Sequence, residues 1–581
     1  MNRYKKTMSL VLSGLFAASL PWGSAEVVDI QSHAYAQVAV QQTTAGARYH
    51  QGTLQQTQQG LVQGYQENQT LIWKGLRYAK APLGELRWKA PQPPESWTGV
   101  MDATKQGNDG IQGTVGNMKG SEDCLNLSIW RPDSAEENLP VLVYIHGGNN
   151  QLGSSEEIAP EKLATKDNCI VVSLNYRLGL LGFNSLPALR HGTSQEASGN
   201  YTLLDIAQSL DWIKANIASF GGNPENITIS GFSAGGRDVM AMLISPIFEG
   251  KFQKAISFSG GMTTSDPNEA AQIEAQHLAA YVVEDGLRPD LKSAQQWLLQ
   301  DNAEVRKYLY SLSAERLAAA FGNAGIRMKA FPHLYADGVV LPKDGFDTHK
   351  YNSVPLIMLT GTKEFSGFAS GDPYFKDAVA NRSVLKDASK KNEFAFAVKY
   401  GSKLYGLFNA EESAVRMLPY YNANIYTCAI NWGNDPAIVG EEMSTLTGAT
   451  HGIFIPFLTN WEYGLRTQYP ASFQNDGAKD LTNKFQSYIK NFLWNGNPNG
   501  KGLTKWEHWT NVKQGPSQLV FDATSKKANI KMTYTRTNYS DILAEIEKDN
   551  SIPAQAKKEI IRKVLNGRWF SKGLDKHFGN E

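Results

Sequence analysis

The sequence predicts an α/β fold in which a mainly parallel central sheet is flanked by helices, with further helices inserted over one edge of the sheet. Three observations support this prediction. Short apolar segments alternate with longer amphipathic ones, a serine framed by glycines follows one of the apolar segments, and a helical stretch interrupts the alternation. The chain has 581 residues, which is enough for one large domain or two smaller ones.

The alternation rests on five segments. Four short apolar runs, at 139–145, 170–174, 227–230 and 255–258, predict strands, and the amphipathic run at 203–220 predicts a helix. Strands that are apolar along their whole length are typical of parallel sheets covered on both faces. We therefore expect helices on both sides of the sheet.

The stretch at 268–317 breaks this rhythm. It is rich in alanine, leucine, glutamate and glutamine, which predicts helices. An insertion of this kind usually lies over the carboxyl edge of the sheet, where pockets form.

Composition argues against several kinds of partner. The formal net charge is +1 and there is no long run of lysine or arginine, which disfavours nucleic acid or an anionic membrane as the main partner. The three cysteines, Cys124, Cys169 and Cys428, are too few for a disulfide-built scaffold, and their spacings fit no metal site. We therefore expect a small-molecule partner and no metal or other cofactor.

The amino-terminal residues are typical of a secretory signal peptide. A basic start is followed by an apolar run over 8–20 and by the small residues Gly23 and Ala25. The run is shorter than the roughly 20 residues that span a bilayer, so a membrane anchor is the weaker interpretation. Cleavage after Ala25 fits best, with Ala36 as a second candidate. The mature protein is then expected to be secreted or periplasmic.

Four regions are predicted along the chain: the signal peptide at 1–25, a polar extension at 26–56, the main α/β domain at 57–525 and a charged, helical carboxyl-terminal extension at 526–581. Within the last region, Ala556, Ile560 and Val564 recur at helical spacing, and Gly567 follows as a candidate cap. We expect this helix to pack against the domain.

The most informative motif is Gly-Phe-Ser-Ala-Gly-Gly at 231–236, which directly follows the strand predicted at 227–230. A serine in this setting is typical of a nucleophile elbow, the sharp strand-to-helix turn that exposes a reactive hydroxyl. The glycines leave room for the turn, and apolar residues follow at helical spacing. Ser233 is therefore the candidate nucleophile, at a helix N-terminus that favours developing negative charge.

A nucleophilic serine needs a base, a carboxylate that orients the base, and donors for an oxyanion. Where the serine stands on such an elbow, the chain order is serine, acid, histidine. Three histidines follow a plausible acid: His451, His508 and His577. His451 is favoured because an apolar run follows it. The chain is therefore expected to return into the core directly after a loop that carries this histidine. His508 lies in a turn-rich stretch and His577 lies in the tail.

Four further motifs occur at wide intervals: Leu-Arg-Trp at 86–88, Ser-Glu-Asp-Cys-Leu at 121–125, Asn-Tyr-Arg-Leu-Gly at 175–179 and Phe-Gly-Gly-Asn-Pro at 220–224. With these motifs and the elbow, the chain resembles the type-B carboxylesterases, a cholinesterase-like family of α/β-hydrolases, from about residue 57 to residue 522. The resemblance implies the α/β-hydrolase fold and a serine carboxylesterase that acts through an acyl-enzyme. It also implies a structural salt bridge between Arg87 and Glu122.

The resemblance places the acid of the triad by two counts that disagree. Counted from the Pro-Leu pair at 355–356, the acid is Glu364, and Phe368 follows it as in the family. Aligned on the glycines, the position falls on Ser366. A serine cannot stabilise an imidazolium as a carboxylate does, so Glu364 is predicted, with Asp372 as the nearest replacement.

The oxyanion donors that the resemblance implies are backbone N–H groups. Ala234 supplies one, and Gly148 and Asn149 supply others from the loop after the strand at 139–145. The family has a third glycine or an alanine, then an aromatic residue, where this chain has Asn149 and Asn150. Asparagine tolerates left-handed backbone, and its side chain would make the pocket narrower and more polar. Asn150 is therefore predicted to bind substrate.

Two more departures from the family surround the predicted triad. Phe232 replaces the glutamate usual before the nucleophile, and Phe454 replaces the acidic residue usual three positions after the histidine. Both substitutions replace a charged residue by an apolar one, which indicates that two buried polar partners have been lost together. Phe232 is also predicted to contact substrate. Gly110 stands where the family has a cysteine, so Cys124 is predicted to be a free, buried thiol.

Three functions stay open from the sequence. The leading one is a secreted serine ester hydrolase that acts on a small-molecule ester. Some members of the family are adhesion modules without catalysis, but those typically lack a triad residue, whereas this chain has a candidate for each. The third is an interfacial lipase, for which the sequence shows no clear lid motif.

Overall fold

The computed structural model describes residues 48–459 and 464–580. The predicted signal peptide and residues 26–47 of the predicted polar extension lie outside these residues. Among the helices of the described ranges, none has both the length and the apolar character that a membrane span requires.

The strands of the described residues are β1 (Leu54–Gln56), β2 (Leu61–Gln63), β3 (Tyr65–Glu67), β4 (Thr70–Arg77), β5 (Val100–Asp102), β6 (Gln112–Thr114), β7 (Asn117–Lys119), β8 (Asn126–Pro132), β9 (Leu139–Ile145), β10 (Ile170–Leu174), β11 (Gly222–Phe232), β12 (Lys254–Phe258), β13 (Leu356–Gly361), β14 (Ile425–Ile430), β15 (Leu519–Phe521) and β16 (Lys531–Met532). The α-helices of the same residues are α1 (Pro160–Asp167), α2 (Gly179–Gly182), α3 (Tyr201–Asn216), α4 (Ala234–Met242), α5 (Pro267–Glu284), α6 (Leu291–Leu298), α7 (Ala303–Ser311), α8 (Ala314–Ala319), α9 (Ser366–Gly371), α10 (Lys376–Ala380), α11 (Ser383–Lys386), α12 (Ala388–Gly406), α13 (Glu412–Met417), α14 (Pro436–Val439), α15 (Glu441–Leu446), α16 (Ile455–Leu458), α17 (Leu465–Gln468), α18 (Asp476–Asn495), α19 (Tyr539–Lys548), α20 (Ala554–Lys563) and α21 (Lys572–Phe578).

The main sheet has eleven strands in the order β16-β15-β14-β13-β12-β11-β9-β10-β8-β4-β3. The central strands from β15 to β10 all pair in parallel. Antiparallel pairs occur toward the two edges, between β10 and β8, β8 and β4, β4 and β3, and β15 and β16. The sheet is therefore mainly parallel, as predicted.

Alternate residues of β9 face two separate apolar cores. Val141 and Val143 belong to a core that includes residues of α3, whereas Leu142 and Tyr144 belong to a core that includes residues of α18. Because successive side chains of a strand point to opposite faces of the sheet, helices cover both faces. The α/β class predicted from the sequence is confirmed.

The predicted strands agree with the structure, and some are longer than expected. β9 and β10 have the bounds predicted at 139–145 and 170–174. β11 begins at Gly222 rather than at 227, with a shift in its register against β9 before Ile227. The stretch at 268–317 contains helices α5 to α8, as expected.

The ends of the domain differ from the predicted boundaries. β1 precedes residue 57 and pairs antiparallel with β2, so ordered pairing begins earlier than the predicted domain start. In the carboxyl-terminal extension, Ile560 and Val564 are fully buried in a core shared with residues of α12. α20 ends at Lys563, so Gly567, with a φ of 66°, lies beyond the helix and not at its cap as predicted.

The resemblance to the type-B carboxylesterases predicts a salt bridge between Arg87 and Glu122 and a free, buried thiol at Cys124. Arg87 donates from two nitrogens to the two carboxylate oxygens of Glu122, at 2.6 and 2.7 Å. Cys124 is free and 1% exposed, and burial raises the pKa of its thiol. Both the salt bridge and the buried free thiol are present in the structure.

A buried acid at the end of α1 makes stability depend on pH. Asp167 is 1% exposed, and its Oδ2 accepts no hydrogen bond from the described residues. Burial raises the pKa of its carboxyl to about 7, although Lys490 and Lys166 oppose the shift. The unfolded value is roughly 3.9, so between about pH 4 and pH 7 the folded protein keeps a proton that the unfolded chain has lost. This stabilising contribution is complete below that range and is lost as the pH rises through 7.

We expect Asp167→Asn, which resembles the neutral acid, to raise the thermal midpoint by about 2–5 °C more at pH 8 than at pH 5. Thermal unfolding followed by intrinsic fluorescence at the two pH values measures this difference. Asp377→Asn, a change at an exposed aspartate, is the control and should shift the midpoint equally at both. An equal gain for Asp167→Asn at both pH values would contradict the assignment.

Candidate active site

Ser233 occupies the turn between β11 and α4. Its φ is 56° and its ψ is −113°, a backbone conformation that costs a non-glycine residue energy and that clusters at functional sites. Two backbone hydrogen bonds hold the turn: the Ser233 N–H donates to the Phe258 carbonyl, and the Arg237 N–H donates to the Ser233 carbonyl, both at 2.9 Å. Ser233 is thereby fixed at the carboxyl edge of the sheet.

The glycines around Ser233 are required because the turn is tightly packed. A Cβ on Gly235 would lie 2.1 Å from the carbonyl oxygen of Ile145, and a Cβ on Gly231 would lie 2.3 Å from that of Gly235. The end of β9 therefore abuts the first turn of α4. This contact places the loop after β9 beside Ser233.

His451 and Glu364 form the closest polar contact of the site. Nδ1 of His451 lies 2.6 Å from Oε2 of Glu364, whose side chain is fully buried. Oε1 of Glu364 accepts from the Gly361 N–H at 2.9 Å and from the hydroxyls of Thr360 and Ser259. With Oε1 held in this way, Oε2 is oriented toward the imidazole.

The other candidates for acid and base are engaged elsewhere: Ser366 donates to the Thr447 carbonyl, Asp372 pairs with Arg327 and Arg568, His508 lies against the carbonyl of Trp509, and His577 pairs with Glu547 at the surface. The structure therefore brings together Glu364 and His451, the pair favoured by the count from the Pro-Leu motif.

Tyr405, at the end of α12, contacts both Ser233 and His451. Its ring stacks on the imidazole with centroids 5.5 Å apart, and its hydroxyl lies close to the Ser233 side chain. Burial raises the pKa of Tyr405, so the phenol stays protonated and can donate. Within the described residues Ser233 and His451 share no direct hydrogen bond, and such bonds are often long before substrate binds.

The loop after β9 presents free backbone donors. Gly148, Asn149 and Asn150 have φ values of 99°, 56° and 55°, so the loop turns in left-handed conformations. The N–H groups of Gly148, Asn149 and Ala234 find no acceptor among the described residues. A Cβ on Gly147 would lie 3.2 Å from Cβ of Ser233, which shows how closely the loop approaches the nucleophile.

Glu157 holds the start of this loop through hydrogen bonds. Its Oε2 accepts from the Gly147 N–H at 3.0 Å and from the Tyr144 hydroxyl at 2.8 Å. Burial raises the pKa of Glu157 to about 7. The loop is therefore held by hydrogen bonds that are formed before any substrate binds.

Asn150 does not face the pocket as predicted. Its side chain is fully buried, donates to Oδ1 of Asp238 at 2.9 Å and accepts from the Tyr176 hydroxyl. The amide therefore anchors the loop to α4 and is not free for substrate. The physical reason is that a polar side chain replacing an aromatic one satisfies its hydrogen bonds within the protein.

Phe232 packs against the candidate base. Its ring centroid lies 4.6 Å from that of His451 and 5.2 Å from that of Phe454. The two positions at which charged residues are replaced by phenylalanine are therefore in contact. Phe232 and His451 also line a cavity of about 540 Å³ together with Ile455 and Leu465.

The carboxyl-terminal extension reaches the site, which the sequence did not indicate. The Phe570 ring stacks on Tyr405 with centroids 4.6 Å apart. The guanidinium of Arg237 lies 4.9 Å from the centroid of the Trp569 ring.

Within the described residues no group of three or more histidine, cysteine, aspartate or glutamate side chains could hold a metal ion.

Comparisons with known proteins bear on this geometry. The model of the carboxylesterase family matches residues 51–424. The para-nitrobenzyl esterase of Bacillus subtilis (strain 168) is 30% identical over 472 residues, which cover 77% of this chain and 91% of the esterase. The cocaine esterase of Homo sapiens is 29% identical over 481 residues, covering 74% of this chain and 80% of that enzyme.

A solved structure of a PNB esterase superposes with a TM-score of 0.63 at 29% sequence identity, covering 83% of this chain and 98% of that chain. The family match includes the elbow and Glu364, and the fold is shared over nearly the whole solved structure. The chain therefore belongs to the carboxylesterase family of α/β-hydrolases and is a carboxylic-ester hydrolase.

Proposed function

We propose that the protein hydrolyses small-molecule carboxylic esters through an acyl-enzyme formed on Ser233. The observation that carries the proposal is the 2.6 Å contact between Nδ1 of His451 and buried Glu364, beside a serine held on an elbow. A carboxylate at Nδ1 fixes the imidazole tautomer so that Nε2 is free to take a proton, and it stabilises the imidazolium that then forms.

In the first half-reaction, Oγ of Ser233 attacks the ester carbonyl and its proton passes to Nε2 of His451. The carbonyl oxygen becomes an oxyanion, which the unengaged N–H groups of Gly148, Asn149 and Ala234 can receive. The intermediate collapses when the bond to the alcohol oxygen breaks and His451 returns the proton to the leaving alcohol. The acyl group stays on Ser233.

Water completes the cycle by the same steps. His451 removes a proton from a water molecule that attacks the acyl carbonyl, and the oxyanion again forms in the loop. Collapse releases the carboxylic acid and returns the proton to Ser233. Glu364 serves throughout to orient and stabilise the histidine.

The test is the initial rate on a series of p-nitrophenyl esters of rising acyl length, each below and above its solubility limit. We expect saturable hydrolysis of dissolved short esters and no jump in rate when droplets form. A jump at the solubility limit would indicate an interfacial lipase. Failure to hydrolyse any ester in the series would sink the proposal.

We also propose that the protein is exported. The support is the pattern of basic, apolar and small residues at positions 1–25. Amino-terminal sequencing of protein recovered outside the cytoplasm should begin at Glu26, or at Gln37 if cleavage follows Ala36. A mature chain that still begins at Met1 would contradict export by cleavage.

A further inference from the structure

The cavity of about 540 Å³ that His451 lines has an apolar wall. Phe232, Ile455 and Leu465 belong to this wall, and each is half-buried and packs on the apolar core that includes residues of α18. Residues 153, 154 and 157, which follow the proposed oxyanion loop, also line the cavity. The cavity therefore adjoins both the histidine loop and the segment that follows the oxyanion loop.

The Phe232 ring lies between the two loops that carry the proposed catalytic groups. A Cβ on Gly147 would lie 3.2 Å from Cδ1 of Phe232, and a Cβ on Gly452 would lie 3.1 Å from its Cζ. The fully buried Phe454 packs against the same ring. Because Phe232 directly precedes Ser233, these contacts hold an apolar surface next to the nucleophile.

The proposed reaction determines which part of the ester adjoins His451. The imidazole returns a proton to the alcohol oxygen when the acyl-enzyme forms, so that oxygen must come within hydrogen-bond distance of Nε2. The carbonyl oxygen is directed instead to the N–H groups of Gly148, Asn149 and Ala234. The carbon atoms attached to the alcohol oxygen are therefore next to the cavity that His451 lines.

The charged side chains at this cavity do not favour a cation. Glu157 is held by two hydrogen bonds within the protein, and burial raises the pKa of its carboxyl to about 7. Glu156 pairs with Lys74 at 3.1 Å, and the exposed Lys119 would repel a positive charge. Phe232 presents a ring where the family has a glutamate. An uncharged, apolar group therefore fits this cavity best.

We propose that the cavity binds the alcohol part of the ester, and that Phe232 sets a preference for uncharged, apolar alcohols longer than ethanol. The proposal rests on the proposed function of Ser233. Burial of each added methylene against an apolar wall should raise kcat/KM about 2- to 4-fold.

The first test compares kcat/KM for three dissolved esters: ethyl acetate, hexyl acetate and ethyl hexanoate. The last two are isomers that carry the same additional methylenes in the alcohol part or in the acyl part. We expect hexyl acetate to exceed ethyl acetate at least about 10-fold, and to exceed ethyl hexanoate as well. Equal values for the two acetates would overturn the proposal. A value for ethyl hexanoate as high as that for hexyl acetate would also overturn it, since the alcohol part would then have no special place.

Ile455→Ala tests the cavity wall at a residue distant in sequence from the nucleophile. It removes apolar surface at the start of α16, so kcat/KM should fall about 3- to 10-fold more on hexyl acetate than on ethyl acetate. Ile438→Ala is the matched control, because Ile438 is also half-buried on the same core but is not among the described residues that line the cavity. It should leave the ratio of the two esters unchanged. An unchanged ratio in Ile455→Ala, or an equal change in both variants, would contradict the proposal.

A second comparison isolates the charge of the alcohol. Acetylcholine and 3,3-dimethylbutyl acetate have nearly the same shape and differ by one positive charge, and we expect the neutral ester to be preferred at least about 10-fold. Phe232→Glu places a carboxylate in the wall and should shift this ratio toward acetylcholine at least about 10-fold. Phe232→Leu keeps the wall apolar and should retain the preference for the neutral ester.

Equal loss on both esters in Phe232→Glu would overturn the proposal, since the ring would then act only by supporting His451. A wild-type preference for acetylcholine would overturn it too. If Phe232→Glu fails to fold, the comparison of Ile455→Ala with Ile438→Ala still decides the outcome. Hydrolysis of ethyl acetate keeps these results distinct from a failure of the proposed function, in which none of the esters would be turned over.

Discussion

Ser233→Ala is expected to lower kcat for ester hydrolysis by at least about 10⁴-fold. The reason is that the acyl-enzyme route is lost entirely, and the residual rate depends on the oxyanion donors and on substrate positioning alone. The measurement is kcat on a dissolved p-nitrophenyl ester, with binding of a non-hydrolysable analogue to show that the pocket survives.

Ser230→Ala is the matched control for this loss. Ser230 lies in β11, the strand that ends directly before Ser233, is fully buried, and its hydroxyl donates to the Val143 carbonyl. The Ser230→Ala substitution removes a similar hydroxyl three residues from Ser233 but leaves the reacting atoms in place. We therefore expect kcat to change only a few-fold. If Ser233→Ala retained activity like that of Ser230→Ala, the nucleophile would have to be sought elsewhere.

Glu364→Gln is the second large effect, with an expected loss in kcat of about 10³- to 10⁴-fold. The glutamine keeps the shape but can present its NH₂ to Nδ1, which favours the wrong tautomer of His451 and removes the charge that stabilises the imidazolium. KM should change little, because Glu364 is fully buried and lies behind the histidine, away from the substrate. Steady-state kinetics that separate kcat from KM measure both expectations.

Glu274→Gln controls for the neutralisation of a buried glutamate. Glu274 is equally buried and accepts from Ser185 and from the Tyr335 hydroxyl. Burial raises its pKa to about 7, so glutamine resembles a form it already populates, and kcat should stay within about 2-fold. Similar losses in the two variants would mean that Glu364 contributes to the fold rather than to the chemistry.

Much of the fold could be predicted because buried parallel strands carry a simple signal. β9 and β10 are continuous apolar runs, and their bounds agree with the prediction to the residue. The elbow could be predicted equally well, because the turn requires glycines and these are visible in the sequence. Gly231 and Gly235 lie where a Cβ would collide with backbone oxygens. These features depend on residues close to one another in the chain.

The site could be predicted less completely, because its remaining parts depend on distant segments. Tyr405 and Phe570 stack on each other from helix α12 and from the carboxyl-terminal extension, and no local pattern indicates that contact. Asn150 was expected to face substrate, but the partner that occupies it, Asp238, lies on α4. Ser259, directly after a predicted strand, could have been considered as support for the acid, since it donates to Glu364.

The most direct test of the central claim is to trap the acyl group during turnover. The protein is mixed with excess of a slowly hydrolysed ester, quenched in acid and digested, and the peptide that contains Ser233 is examined by mass spectrometry. We predict that this peptide carries the mass of the acyl group, and that Ser233→Ala carries none. Steady ester hydrolysis without any acylated peptide, or with the acyl group on a different residue, would contradict the account.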